Sequence, residues 1–341
     1  MDGRRRVYES GDKGESWTEA LGTLSRVWGN KDKRHERGVG SGFTTATMGD
    51  REVILVTLPV YAKDGDKKEN RNEKGELHLW LTDNTHIVDI GPVSRNDDVA
   101  ASSLLYKSET NNDNNEKLIA LYEKNEGGGG ISHSIWSVLL TDELQRVKEV
   151  LTTWKKVDGI VSKLCSSSIA AVSASPGNVC SAGKITAGLV GFLSGNFSGN
   201  TWRDEYLGVN ARVNNNDGAE KATSATATGL PYGVKFQGAW AEWPVGKQGE
   251  NQLYHFANYN FTLVATVSIH NVPEGDTPVH LMGAVMNDTE NTVLLGLSYS
   301  KGKKWQVLCG GRTTEEISGQ WEPEKTHQLA IVLQTGTQGS V

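Results

Sequence analysis

Ser10-Gly11-Asp12-Lys13-Gly14-Glu15-Ser16-Trp17 sets two oxygen-bearing side chains, a glycine and an indole in the order Ser-x-Asp-x-Gly-x-x-Trp. The Ser and Asp side chains can hydrogen-bond turn backbone, the glycine permits a left-handed conformation, and the tryptophan offers a large apolar face to pack into a sheet. This is the chemistry of a stapled hairpin turn, not of catalysis. Four fixed positions coincide by chance about once in a thousand chains of this length, so the pattern predicts a turn with Trp17 buried.

Other chemistry-bearing residues are sparser. Cys165 and Cys180 would close a loop of about 15 residues, worth roughly 3 kcal/mol of chain entropy in an oxidising compartment. Cys309 is left over, and no spacing resembles a zinc site. Asn111-Asn112-Asp113-Asn114-Asn115 lacks the glycine and closing glutamate of a calcium loop and reads as solvated. Gly38, Gly40 and Gly42 do not follow a buried strand, so they read as a turn and not as a phosphate cradle. No metal or cofactor is predicted. Asn196, Asn260 and Asn287 each open an Asn-x-Ser/Thr sequon and are glycosylation candidates.

The elements that must position these residues are mainly strands. Val53 to Leu58 is a nearly continuous apolar run, as suits a strand buried on both faces. Leu77, Leu79 and Leu81 alternate with His78, Trp80 and Thr82, which predicts a strand with one face on a core. Lys117 to Tyr122 and Ile131 to Leu140 flank a glycine-rich loop and predict a hairpin. From Thr141 to Asp158 the period becomes helical, with Leu144, Val147, Leu151 and Trp154 on one face and Thr141 as N-cap. Ser162 to Lys184, rich in Ser, Ala and Gly, reads as a loop, and β-like segments separated by turns return after Ala187.

Composition narrows the function classes. The 341 residues carry 35 basic and 41 acidic side chains, a net charge of −6, so no positive field exists to gather nucleic acid. The longest apolar runs fall short of the roughly 18 residues a transmembrane segment needs. Met1 to Glu9 is polar and charged where a secretory leader would be apolar, and the end lacks the hydrophobic tail of a lipid-anchor signal.

The Ser10 to Trp17 pattern is the Asp box of sialidase-type propellers. The chain around it, from Val7 to Val27-Trp28, resembles the trypanosomal trans-sialidases. The segments starting at Leu77, Ala101, Thr186 and Phe256 extend the resemblance almost end to end. It implies an all-β chain with one connecting helix. Residues 1–140 would be part of a β-propeller, 141–158 the helix, 159–186 a linker and 187–341 an incomplete concanavalin-like lectin β-sandwich, so the chain would be truncated at both ends relative to the family.

The family grips the sialic acid carboxylate with three arginines, whose planar forks match it bidentately, and attacks with a tyrosine activated by glutamate. By this resemblance the acid–base aspartate, the glutamate and two arginines would precede residue 1. The third arginine falls at Lys74, which keeps charge but loses the fork, and the acceptor-site tryptophan falls near Asn72. The tyrosine position is Ala101. Tyr106 reads as packing, since relatives with an intact nucleophile carry it too. The resemblance thus implies a non-enzymatic surface glycoprotein that binds host-cell or matrix glycoconjugates or proteins and diverts immunity. The alternative is an exo-alpha-sialidase or trans-sialidase, and a further one is a truncated product without function.

Overall fold

The computed structural model describes residues 8–19, 40–61, 75–94, 97–108, 116–125, 133–169, 188–215, 226–245, 260–271, 278–286, 293–301, 304–310, 312–318 and 325–333. Contacts divide the chain into two compact units, Met1–Tyr254 and His255–Val341. The division falls inside the span 187–341 that the sequence assigns to one domain.

The first unit opens with a hairpin of β1 (Tyr8–Glu9) and β2 (Thr18–Glu19). A four-stranded antiparallel meander follows, built from β3 (Gly42–Met48), β4 (Arg51–Tyr61), β5 (Gly75–Thr82) and β6 (Ile87–Pro92) in chain order. A second meander, β7 (Val99–Lys107), β8 (Lys117–Asn125) and β9 (His133–Leu139), has three strands. Successive meanders of this kind are propeller blades. On β5 the alternation puts Leu77, Leu79 and Leu81 wholly inside. Thr82, expected to face outward, is buried as well, because its Oγ1 accepts the N–H of Asn84 at 3.1 Å and tightens the turn into β6. Pro59 fits within β4 because β3 pairs only as far as Thr57, so at Pro59 the pairing is with β5 alone.

Helix α1 (Thr141–Ile169) is longer than the sequence reading. The carbonyl of Leu140 accepts the first intrahelical bond, from Leu144 at 3.0 Å, so Leu140 occupies the cap position and Thr141 is the first helical residue. Beyond Asp158 the inward stripe continues through Val157 and Val161, both buried. Gly159 lies on the exposed side, where its cost of about 1 kcal/mol relative to alanine is the smaller effect. Ser162 returns its hydroxyl to the Asp158 carbonyl at 2.7 Å. Cys165 therefore sits on the helix and not in a linker loop. Its side chain and Cys180 fall outside the described residues, as does the question of their bridging. Leu144, Val147, Trp154 and Val161 join the leucines of the blades in one core.

After the helix come β10 (Leu193–Ser198), β11 (Thr201–Asp204) and β12 (Ala211–Asn215), then the hairpin of β13 (Thr226–Leu230) and β14 (Gly233–Gln237), then β15 (Ala239–Glu242). Strands β10, β11, β12 and β15 form one antiparallel sheet. In the second unit β16 (Phe261–Val267) pairs with β21 (His327–Leu333). The strands between them, β17 (Val279–Val285), β18 (Val293–Tyr299), β19 (Lys304–Cys309) and β20 (Arg312–Ser318), form an antiparallel meander. Ile331 of β21 shares a core with Leu295, Leu297 and Val307 of the meander, the layered packing of a lectin-like sandwich. Among the described residues the chain is all-β with one helix. No helix among the described residues is long and apolar enough to cross a membrane.

Candidate functional site

The Asp-box turn is built as its residue types dictate. Ser10 Oγ donates to Asp12 Oδ1 at 2.8 Å and accepts the N–H of Gly14 at 2.6 Å. Asp12 also receives the N–H of Ser16 at 2.9 Å and its hydroxyl at 2.6 Å. These bonds, from the Ser16 hydroxyl first, then the Ser16 N–H and the Ser10 hydroxyl, hold the Asp12 carboxyl well below its ordinary range. Lys13 (φ 63°) and Gly14 (φ 100°) take the left-handed conformation the tight turn requires. Trp17, expected to be buried, is 63% exposed. Its Nε1–H donates to the Gly14 carbonyl at 3.1 Å, which ties the indole across the turn instead of sending it into a sheet, and the flanking strands are only two residues long.

Ala101 lies half-buried near the start of β7, beside an irregularity between Val99 and Ser102. Its methyl would be 3.7 Å from a Cβ placed on Gly40, whose carbonyl accepts the N–H of Ser102 at 3.0 Å. The adjacent hydroxyl is engaged: Ser102 Oγ lies 3.0 Å from Thr57 Oγ1 and accepts the N–H of Gly42 at 3.2 Å. Thr57 in turn donates to the Gly42 carbonyl at 3.3 Å, so this knot joins β7 to β3 and β4. Lys74 and Asn72 lie outside the described residues. The next residue after Lys74, Gly75, donates its N–H to Asp98 Oδ1 at 2.9 Å, and Asp98 stands three positions before Ala101.

Tyr106 does not replace a nucleophile at Ala101. Five residues of strand separate them by about 16 Å. The Tyr106 hydroxyl donates to Glu116, which also pairs with Lys148 on α1, so this tyrosine fastens the second blade to the helix.

A larger cluster of polar and aromatic side chains has no local signature in the sequence. Arg51 at the start of β4 reaches Asp83, in the turn between β5 and β6, with Nη1 and Asp158 on α1 with Nη2. Asp158 Oδ1 accepts the hydroxyl of Tyr206 at 2.7 Å. His86 Nε2 donates to the Leu189 carbonyl at 2.9 Å, while Nδ1 lies 3.1 Å from Asp83 Oδ2. Its ring stacks on Tyr206 at 4.1 Å, and Trp154 donates its indole N–H to the Tyr206 carbonyl at 2.8 Å. These groups satisfy one another and clasp a blade, the helix and the following segment together. No short-range spacing could reveal it, since Arg51 and Asp158 are 107 residues apart.

Burial alone would raise the Asp83 carboxyl, but the bond and charge of His86, its backbone N–H and the Arg51 charge prevail and hold it at about 2. Because this lies below the unfolded value of about 3.9, the contribution, on the order of 2 kcal/mol, is complete above pH 4 and is lost as pH falls through 2. Acid titration of unfolding free energy should show that Asp83→Asn removes this part of the slope between pH 4 and 2. An unchanged slope would refute the assignment.

Of the sequon asparagines, Asn196 on β10 and Asn260 just before β16 are exposed, and Asn287 lies outside the described residues. Cys309 is a free, exposed thiol. No group of side chains able to hold a metal occurs among the described residues.

Comparison with known proteins accords with this architecture. Residues 185–341 match the C-terminal domain of trans-sialidases and residues 1–123 a BNR repeat-like domain. A Trypanosoma cruzi protein named sialidase is 34% identical over 97% of this chain and 26% of its own length. Sialidase 85-1.1 of the same organism is 33% identical over 99% of the chain and 40% of its own length. The solved Trypanosoma rangeli sialidase in complex with the inhibitor DANA superimposes with a TM-score of 0.76 at 36% identity, over 99% of this chain and 49% of the other. The chain thus spans less than half the length of these relatives. With both domain types matched in order and the fold shared, the chain belongs to the trypanosomal trans-sialidase superfamily.

Proposed function

We propose that this chain is a non-enzymatic member of its family that binds glycoconjugates or proteins of a host cell or matrix from the parasite surface. The observation that carries the reading is Ala101, a methyl group where the resemblance puts the nucleophile, with its neighbouring hydroxyl already engaged in the Ser102–Thr57 knot. Exposed Asn196 and Asn260 suit an exported glycoprotein. Glycan partners are supported by a solved relative described in complex with sialic acid.

A fluorogenic sialoside tests the enzymatic half of the proposal, and binding to immobilised sialylated and desialylated glycoproteins tests the adhesive half. The expected results are turnover at the buffer rate and saturable binding. Turnover clearly above buffer would favour the second reading, a sialidase or trans-sialidase, which the names of the relatives support. Ala101→Tyr is expected to remain at the buffer rate. A tyrosine of pKa about 10 is protonated at neutral pH and attacks only when a partner takes its proton, so the side chain alone is not enough. Turnover gained by this one change would show that a working acid, base and anion site is present.

A further inference from the structure

The sheet of β10, β11, β12 and β15 has two unlike faces. Phe197, Trp202, Ala211 and Val213 share one of them, where Ala211 and Val213 are buried and Trp202 tilts against Phe236 of β14. The other face is polar, the mark of a solvated surface. Ser198, Thr201, Arg212 and Glu242 form one row across its four strands, and Asn214 pairs with Trp240 in the adjoining row. Trp240 is 41% exposed amid these polar neighbours. Its Nε1–H donates to Glu242 Oε1 at 2.9 Å, two residues along the same strand, which ties the indole down along β15.

Arg212 stands diagonally across from Trp240, so the two side chains rise about 7–8 Å apart. Arg203, two residues beyond Thr201, is the diagonal neighbour of Arg212 on the other side. Both arginines are exposed, and neither has an ion-pair partner among the described residues. The carboxylate of this face, Glu242, already accepts the indole N–H. The face therefore has a local excess of positive charge in a chain whose net charge is −6. A guanidinium fork grips a carboxylate or sulfate bidentately, an indole accepts the apolar C–H side of a ring, and Thr201 and Asn214 add hydrogen-bonding groups. A sugar bearing an acidic group meets all three at this spacing. We propose that this face binds an anionic sugar, with its ring on Trp240 and its acid group on Arg212. The proposal rests on the glycan-binding reading above and gives it a location on this sheet. A protein partner would need a broader apolar centre than one indole, and a neutral sugar would leave Arg212 unused. Arg203 is two strands and four residues from Trp240, about 16 Å, so only a longer acidic chain would reach both.

Ligand-observed NMR on the whole chain, titrated with sialyllactose, lactose and a sulfated uronic-acid oligosaccharide, tests this. At least one acidic probe should bind saturably with a Kd of about 1 mM, as suits one sugar on an open face, and lactose at least about tenfold more weakly. Trp240→Ala and Arg212→Glu should each weaken the acidic probe at least about tenfold. Arg212→Lys, which keeps the charge and loses the fork, should weaken it less. Arg203→Glu separates the two sources, since it should leave sialyllactose almost unaffected and weaken the longer chain. If Trp240→Ala fails to fold by circular dichroism, Arg212→Glu still decides, because Arg212 is exposed. No binding of either acidic probe at about 10 mM overturns the proposal. So does lactose bound equally well, or an affinity indifferent to Trp240→Ala or to Arg212→Glu. Adhesion to immobilised glycoproteins that persists in any of these cases keeps the adhesive reading and removes this site alone.

Discussion

Replacing Trp154 by alanine is expected to lower the free energy of unfolding by about 3–5 kcal/mol, the range for removing a wholly buried large aromatic side chain. The indole is surrounded by groups that cannot all close over the gap. Its N–H is bonded to the Tyr206 carbonyl, the His86 ring lies 5.1 Å away, and the Arg51 guanidinium sits over its face at 5.5 Å. Arg51 and His86 are held by their own bonds to Asp83, Asp158 and Leu189, so a cavity and an unpaired carbonyl would remain. Trp154→Phe keeps most of the apolar volume and loses the donor, so it should cost about 1–3 kcal/mol. Urea unfolding of both variants measures this. A Trp154→Ala cost below about 1 kcal/mol would mean that the clasp does not hold the helix to the blades.

The second large effect is expected at Gly42, where a methyl group would lie 2.6 Å from Thr57 Oγ1, 2.7 Å from the Ser103 carbonyl carbon and 2.8 Å from the Leu104 nitrogen. Two of these are backbone atoms and cannot rotate aside. In Gly42→Ala, β3 must therefore retreat from β7, straining the bonds that Gly42 makes to Ser102 and Thr57. Overpacking of this kind costs about 1–3 kcal/mol before the lost bonds are added. Gly11→Ala is the control, because nothing lies within 4 Å of the added methyl and its φ is not positive, so a change within about 0.5 kcal/mol is expected. Equal stability of the two variants would show that the blades are not in close contact at Gly42.

Gly42 also shows where the sequence could be read and where it could not. Its neighbourhood reads as a turn because glycines at Gly38, Gly40 and Gly42 are locally indistinguishable from turn residues. The reason for this glycine is a strand distant in sequence that passes too close for a side chain. By contrast, β5 was legible because period-two leucines depend on one face alone, and the Asp-box turn because all its bonds join residues at most four apart. Trp17 was misplaced for the complementary reason: the motif fixes the turn, while burial of the indole depends on what surrounds the turn. The first half of α1 was legible through its apolar stripe, although the cap lies at Leu140 and not at Thr141. Its second half was hidden by Ser and Gly, whose weak propensities are overridden by burial of Val157 and Val161. Of the candidate site, Ala101 was singled out by resemblance alone, and the Arg51 clasp was not legible at all.

The long-range character of that clasp has a kinetic consequence. Each blade is a meander whose strands pair with their chain neighbours, so it can zip up through small loop closures. The bond from Arg51 to Asp158 spans 107 residues and that from His86 to Leu189 spans 103, and neither can form until the blades and the helix have already met. Refolding from urea should therefore show blade formation first and docking of the helix with its Tyr206 partner last. Loss of the Arg51 side chain should accelerate unfolding while leaving the refolding rate almost unchanged.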